Sequence, residues 1–349
     1  MKWYFFLFFL FSSVFVFSHE TISETKKAFG NCKTYNCKIA KSIAISELYL
    51  EIDQIEEAQK WLNYSKKMLL KYPNDRQQYG VNSLQSELFY YSGLYQFGLH
   101  EAQKAIALAK IINDSLHLSN AFLIEGINWY EMGKIAKAED SYHKAKRYFP
   151  VKYDVKYRRY QINKEYIYND IAQLKIKTKQ LDSAYFYNKR AYGFAKSLKD
   201  QRCIANVERT FGELFVKQNK KDSAAFYFKK SVETSLNANI HDTALLGYGN
   251  LIECCSEQSQ MVNYYFEKGQ ELIKKYNVNA SFQKLFYEQS LAKFQTINDK
   301  NLLFSTQGKL LELERSINKN GNFYIQNITD QYIHSENKLL LSKINQLDN

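Results

Sequence analysis

The residues that most often interrupt regular structure are scarce in this chain. It has 2 Pro and 13 Gly in 349 residues, where average usage gives about 17 and about 24. Sandwiches and barrels need a turn-forming residue every dozen or so positions, and doubly wound sheets need glycine-rich crossover turns. The counts disfavour both and predict an all-α chain. Signatures of catalysis are missing too: there is no GxxxxGK followed by Ser or Thr, no HExxH and no GxSxG. The histidines, at positions 19, 100, 117, 143, 241 and 334, never pair at ligand spacing, so surface or capping roles are expected, with no metal and no other cofactor. Gly247-Tyr248-Gly249 is a lone GxG without a preceding strand, and helix packing is its expected role. The chain therefore reads as non-enzymatic; strongly perturbed titratable groups clustered in one pocket would reopen the question.

What is present points to a large helical core. Hydrophobic residues make up 45% and aromatics 16% of the chain, which excludes disorder, and a length above roughly 300 residues implies two domains or a repeat array. At the start, Met1 and Lys2 precede an apolar run to Phe17 broken only by Ser12 and Ser13, and Val16-Phe17-Ser18 supplies a cleavage context before His19. Residues 1 to 18 read as a secretory signal, with retention as an anchor the alternative. No later stretch approaches 18 apolar residues, so no transmembrane span is expected after cleavage. The expected location is the periplasm or cell envelope, or the exterior as a secreted protein. Net charge is +12 and the sequence pI near 9.1, but an exported chain seldom meets nucleic acid, and none is expected as a partner. The basic run from 144 to 164, with Tyr148, Tyr153, Tyr157 and Tyr160 interleaved, reads as a solvated junction, or else as a patch for an acidic partner. In an oxidising compartment Cys32 and Cys37 can close a small loop as a disulfide, the alternative being two free thiols. Cys254-Cys255 is not CxxC and reads as packing.

A repeat emerges in the interior. Between residues 119 and 150, Phe122, Gly126, Trp129, Gly133, Ala138, Tyr142, Ala145 and Pro150 occupy relative positions 4, 8, 11, 15, 20, 24, 27 and 32. Small residues at 8, 20 and 27 let two helices approach, and large ones at 4, 11 and 24 fill the space around them. Glu125 departs from the pattern at position 7, where an apolar residue is usual. Ser46, Tyr49, Ala58, Leu62 and Ser65 repeat the offsets, as do Ala172, Ala184 and Ala191, and Gly212, Phe215, Ala224, Phe228 and Ser231. Ser92, Tyr95, Ala102, Ile106 and Ala109 fit if a turn at Gly98 is one residue short. Position 20 would then be Ala58, Ala102, Ala138, Ala184 and Ala224, spaced 44, 36, 46 and 40. Asp114 and Asp200 follow Ala-Lys endings and are suited to cap the next helix.

These residues resemble the tetratricopeptide repeat (TPR), in the long variety of about 40 residues found in extracytoplasmic arrays of Bacteroidetes sensor and regulator proteins. The resemblance implies a right-handed α-solenoid of about seven antiparallel helix pairs plus a C-terminal helix. It divides the chain into a signal at 1 to 18, an N-terminal segment at 19 to 37, the array at 38 to 318 and a C-terminal helix or cap at 319 to 349. It also implies that Asn169, Gln173, Lys177, Arg209, Glu213 and Lys217 face a concave groove. The expected function is a scaffold binding a protein or peptide there; the alternative is the sensor portion of a truncated or split transmembrane signalling regulator.

Overall fold

The computed structural model describes residues 21 to 52, 54 to 152, 162 to 255, 260 to 276 and 278 to 347. After a short α1 (Ile22–Gly30), seven antiparallel pairs follow in chain order. They are α2 (Tyr35–Glu51) with α3 (Ile55–Leu69), α4 (Asp75–Tyr91) with α5 (Tyr95–Ile111), and α6 (Ser115–Glu131) with α7 (Ile135–Tyr148). Next come α8 (Lys164–Lys177) with α9 (Leu181–Leu198), α10 (Gln201–Lys217) with α11 (Lys221–Asn237), α12 (His241–Cys254) with α13 (Met261–Lys275), and α14 (Ala280–Thr296) with α15 (Lys300–Leu347). The chain is an all-α solenoid. A disulfide joins Cys32 to Cys37, Cα atoms 5.5 Å apart, and ties the end of α1 to the start of α2.

The two helices of a pair are buried differently. In α3 the buried residues Ala58, Gln59, Leu62, Ser65 and Leu69 form one stripe, the pattern of a helix with one face in water. In α4 burial runs almost all round, from Tyr79 through Val81 to Phe89, because neighbouring pairs flank it on both sides. That placement buries polar side chains, which satisfy one another: the Gln59 and Gln85 amides exchange hydrogen bonds of 3.0 and 2.9 Å across α3 and α4.

Close approach within a pair depends on a missing side chain. A Cβ on Gly126 would lie 2.5 Å from the Tyr142 ring, and one on Gly212 would lie 2.3 Å from Phe228. Between pairs, Gly247 of α12 packs against α11, with Val232 Cγ2 at 2.5 Å from a notional Cβ, so this glycine does serve helix packing. The Glu125 carboxylate, set where an apolar residue is usual, accepts from Ser141 Oγ at 2.8 Å. The expected caps are also in place: Asp114 accepts from the amides of Leu116 and His117, and Asp200 from that of Cys203.

The second pair corrects the register read from sequence. The turn between α4 and α5 is at Gly93, with φ +73°, while Gly98 lies inside α5. There Ser86 Oγ donates to the Gly98 carbonyl at 2.6 Å, as Ser46 Oγ donates to the Ala58 carbonyl at 2.6 Å in the first pair. Position 20 is therefore Ala58, Gly98, Ala138, Ala184 and Ala224, and Ala102 stands four residues further on, at position 24. The longer step between Ala138 and Ala184 coincides with the wider gap between α7 and α8.

The expected C-terminal helix is the far part of α15, continuous with the second helix of the seventh pair. At 48 residues it runs about 72 Å and reaches back to the first two pairs. There Tyr332 stands edge-on to Phe89 at 5.0 Å and to Phe97 at 5.8 Å. Its hydroxyl donates to the buried Glu101 carboxylate at 2.8 Å, and Lys104 bridges Glu101 and Glu336 at 2.9 and 2.6 Å. Among the described residues no helix is long and apolar enough to cross a membrane.

Candidate functional site

The first helices of all seven pairs converge on one cavity of about 220 Å³. Its lining starts at the C-terminal ends of α2, α4 and α6, crosses the middle of α8 and finishes at the N-terminal parts of α10, α12 and α14. The array's twist explains this diagonal, since each successive pair presents an earlier stretch of its first helix. Leu50 and Glu51, Tyr90 and Tyr91, and Tyr130 and Glu131 are the last residues of α2, α4 and α6 and recur at intervals of 40. Three helix C-termini, each carrying partial negative charge, thus meet at one end of the cavity.

Carboxylates dominate that end. Burial pushes Asp170 up to about 8, with Glu131 nearby adding to the effect. Burial and the neighbouring Glu47 carry Glu51 to about 7, and burial also raises Glu131. The phenols of Tyr90, Tyr130 and Tyr142 are pushed up first by burial and then by the field of these acids, so their rings stay neutral. The cluster that would reopen an enzymatic reading is therefore present. The cavity lining has no histidine, cysteine, serine or lysine, and among the described residues no group of three or more His, Cys, Asp or Glu is placed to hold a metal.

Of the residues expected in the groove, Asn169, Gln173 and Arg209 line the cavity. Asn169 is buried, and its amide donates to Asn188 Oδ1 and Thr210 Oγ1 at 3.0 Å each while accepting from Gln173, so it ties α8 to α9 and α10. Glu213 pairs with Arg209. The Lys177 ammonium lies 4.4 Å from the centre of the Tyr130 ring. Lys217 is exposed and outside the lining. Sequence reasoning missed Asp170, Glu131, Glu51 and the tyrosines. Glu51, Tyr90, Tyr91, Tyr130 and Glu131 recur at the ends of first helices, a signal in the spacing, whereas Asp170 in the middle of α8 and Tyr142 in α7 carry none. In the basic segment, residues 153 to 161 lie outside the described residues, while Lys146 and Lys164 sit over the rings of Tyr187 and Phe194. Cys254 packs beside the hydrophobic cluster that contains Phe228, Phe266 and Phe286, and burial raises its thiol to about 11, far from a reactive thiolate.

No family model and no curated protein matches the sequence. Solved structures share its fold. The chain is similar to a Rap protein complexed with competence and sporulation factor, with a TM-score of 0.60, 10% identity, and 90% of this chain and 92% of that one covered. It is similar to NprR in complex with its cognate peptide NprX, at 0.59 and 15%, covering 88% and 90%. A signal transduction ATPase with a tetratricopeptide repeat sensor from Pyrococcus horikoshii aligns at 0.50 and 16%, over 77% of this chain and 41% of that one. In fold, then, the chain is a TPR-type helical repeat protein.

Proposed function

We propose that this chain is an exported, non-enzymatic scaffold that binds a short peptide, or an extended segment of a protein, along its inner face. The observation that carries the reading is the convergence of the first helices of all seven pairs on one cavity. A groove already shaped by packed helices loses little conformational entropy when it is filled. At about 30 Å³ per water the cavity has room for some seven waters, enough for an anchoring side chain with the rest of the peptide lying across the mouth. The complex of NprR with its cognate peptide, which shares the fold, agrees with this reading.

An enzymatic alternative rests on Asp170 and Glu131, since paired carboxylates can act as acid and base. The tyrosine walls, and a lining with no histidine, cysteine, serine or lysine, favour binding. The sensor reading draws on α15, which joins the last pair to the first two and can relay a change in curvature. The test is fluorescence anisotropy of a labelled random pentapeptide mixture with purified residues 19 to 349. Saturable binding, with slowed amide exchange in α4, α6 and α8, is expected. No binding by any mixture overturns the proposal.

A further inference from the structure

The charge inside the cavity is opposite to that of the chain. Against a net +12, its lining holds Glu51, Glu87, Glu131, Asp170 and Asp242 but only Arg202 and Arg209 as cations. Both arginines are engaged, Arg202 with Asp242 at 2.7 Å and Arg209 with Glu213. Asp170, Glu131 and Glu51 have no hydrogen bond or ion pair among the described residues. Glu131 is exposed, and Asp170 and Glu51 are half-buried. Lys177 partly offsets Glu131 and Arg202 partly offsets Glu51, which leaves Asp170, faced by Glu131, without a cation of its own. Taking such a carboxylate out of water is costly.

Two further features favour a cation at this spot. The partial negative charge of three helix C-termini converges there, a field independent of the side chains. The groups facing Asp170 are Glu131 and Tyr130 of α6, Tyr90 of α4 and Tyr142 of α7, with Arg209 of α10 near Tyr130. Tyrosine faces around a desolvated spot attract ammonium and guanidinium groups. An anionic or apolar anchor would leave the carboxylates uncompensated.

We propose that this end of the cavity is a cage of carboxylates and tyrosine rings that takes one alkylammonium or guanidinium group, and so selects peptides carrying a Lys or Arg side chain. The inference rests on the peptide-binding reading and specifies its anchor. A bound cation favours the ionised carboxylates, so binding releases protons at neutral pH and tightens as pH rises from 6 to 8.

The experiment is competition binding to purified residues 19 to 349 with N-acetylated pentapeptide mixtures whose central residue is fixed as Lys, Arg, Leu or Glu. An unacetylated mixture centred on Leu and the free amine agmatine are added as separate arms. The Lys or Arg mixture should compete at least tenfold better than the Leu and Glu mixtures. Asp170→Asn should cut that preference at least fivefold and flatten its pH dependence, with Glu131→Gln as a second variant and circular dichroism confirming that both fold. Binding of the unacetylated Leu mixture alone would place a peptide N-terminus in the cage. Binding of agmatine alone would keep the cage and overturn the peptide reading. Equal binding of all four acetylated mixtures, unchanged in Asp170→Asn, overturns the cage and leaves peptide binding standing; no binding by any probe overturns both.

Discussion

Asparagine does in this chain much of what glycine does elsewhere. Asn113, Asn219, Asn239 and Asn298 all take positive φ at helix ends, with values between 50° and 58°, a conformation that asparagine tolerates better than most residues. The scarcity of glycine therefore reflects substitution at the turns, and several remaining glycines are held by contact. Gly212→Ala would drive a methyl group into the Phe228 ring and should cost about 1–3 kcal/mol. Gly193→Ala, exposed in the body of α9 with nothing within 4 Å, should instead stabilise by about 0.5–1 kcal/mol; urea unfolding of the two variants measures the contrast. Asp170 gives a pH signature. The folded chain holds a proton on it up to about 8, whereas the ordinary value is 3.8. The folded state therefore binds more protons than the unfolded one in that window, and this contribution to stability falls as pH rises through it. Asp170→Asn should flatten the decline between pH 5 and 8, read from urea midpoints.

At the scale of elements, the second helices were legible because a half-exposed helix must show a stripe, as Ala58, Leu62, Ser65 and Leu69 do. The first helices were harder to read. Ser83, Gln85 and Ser86 are buried in α4, and a polar residue satisfied by its neighbours looks, in a sequence, like one facing water. The same difficulty displaces the second repeat by four residues, since Gly98, bonded by Ser86, holds the position that is alanine in the other units. The cavity acids stayed hidden because nothing local marks a carboxylate as buried; their surroundings come from helices far apart in the chain. The reach of α15 back to the early pairs was likewise illegible, being a contact between residues more than 200 positions apart. Tyr332→Phe removes a hydroxyl donor from a buried carboxylate and should cost about 1–3 kcal/mol. A chain ending at residue 318 should expose Phe89 and cleave faster around α4 and α5 in limited proteolysis.

At the scale of the whole molecule, charge is sorted by location, with a basic exterior around an acidic hollow. A ligand of the expected kind should stabilise the chain by mass action, by about 2.7 kcal/mol at a hundredfold excess over its Kd, and should raise the melting temperature without a second transition. The long last helix also bears on how the array comes apart. A linear stack of repeats has two free ends, and its outermost units can fray one at a time, because each is held by a single neighbour. By fastening its seventh pair to its first two, this chain has in effect no free end. It should melt like a closed hoop, all at once, with the amides of α2 and α14 exchanging as slowly as those at the centre.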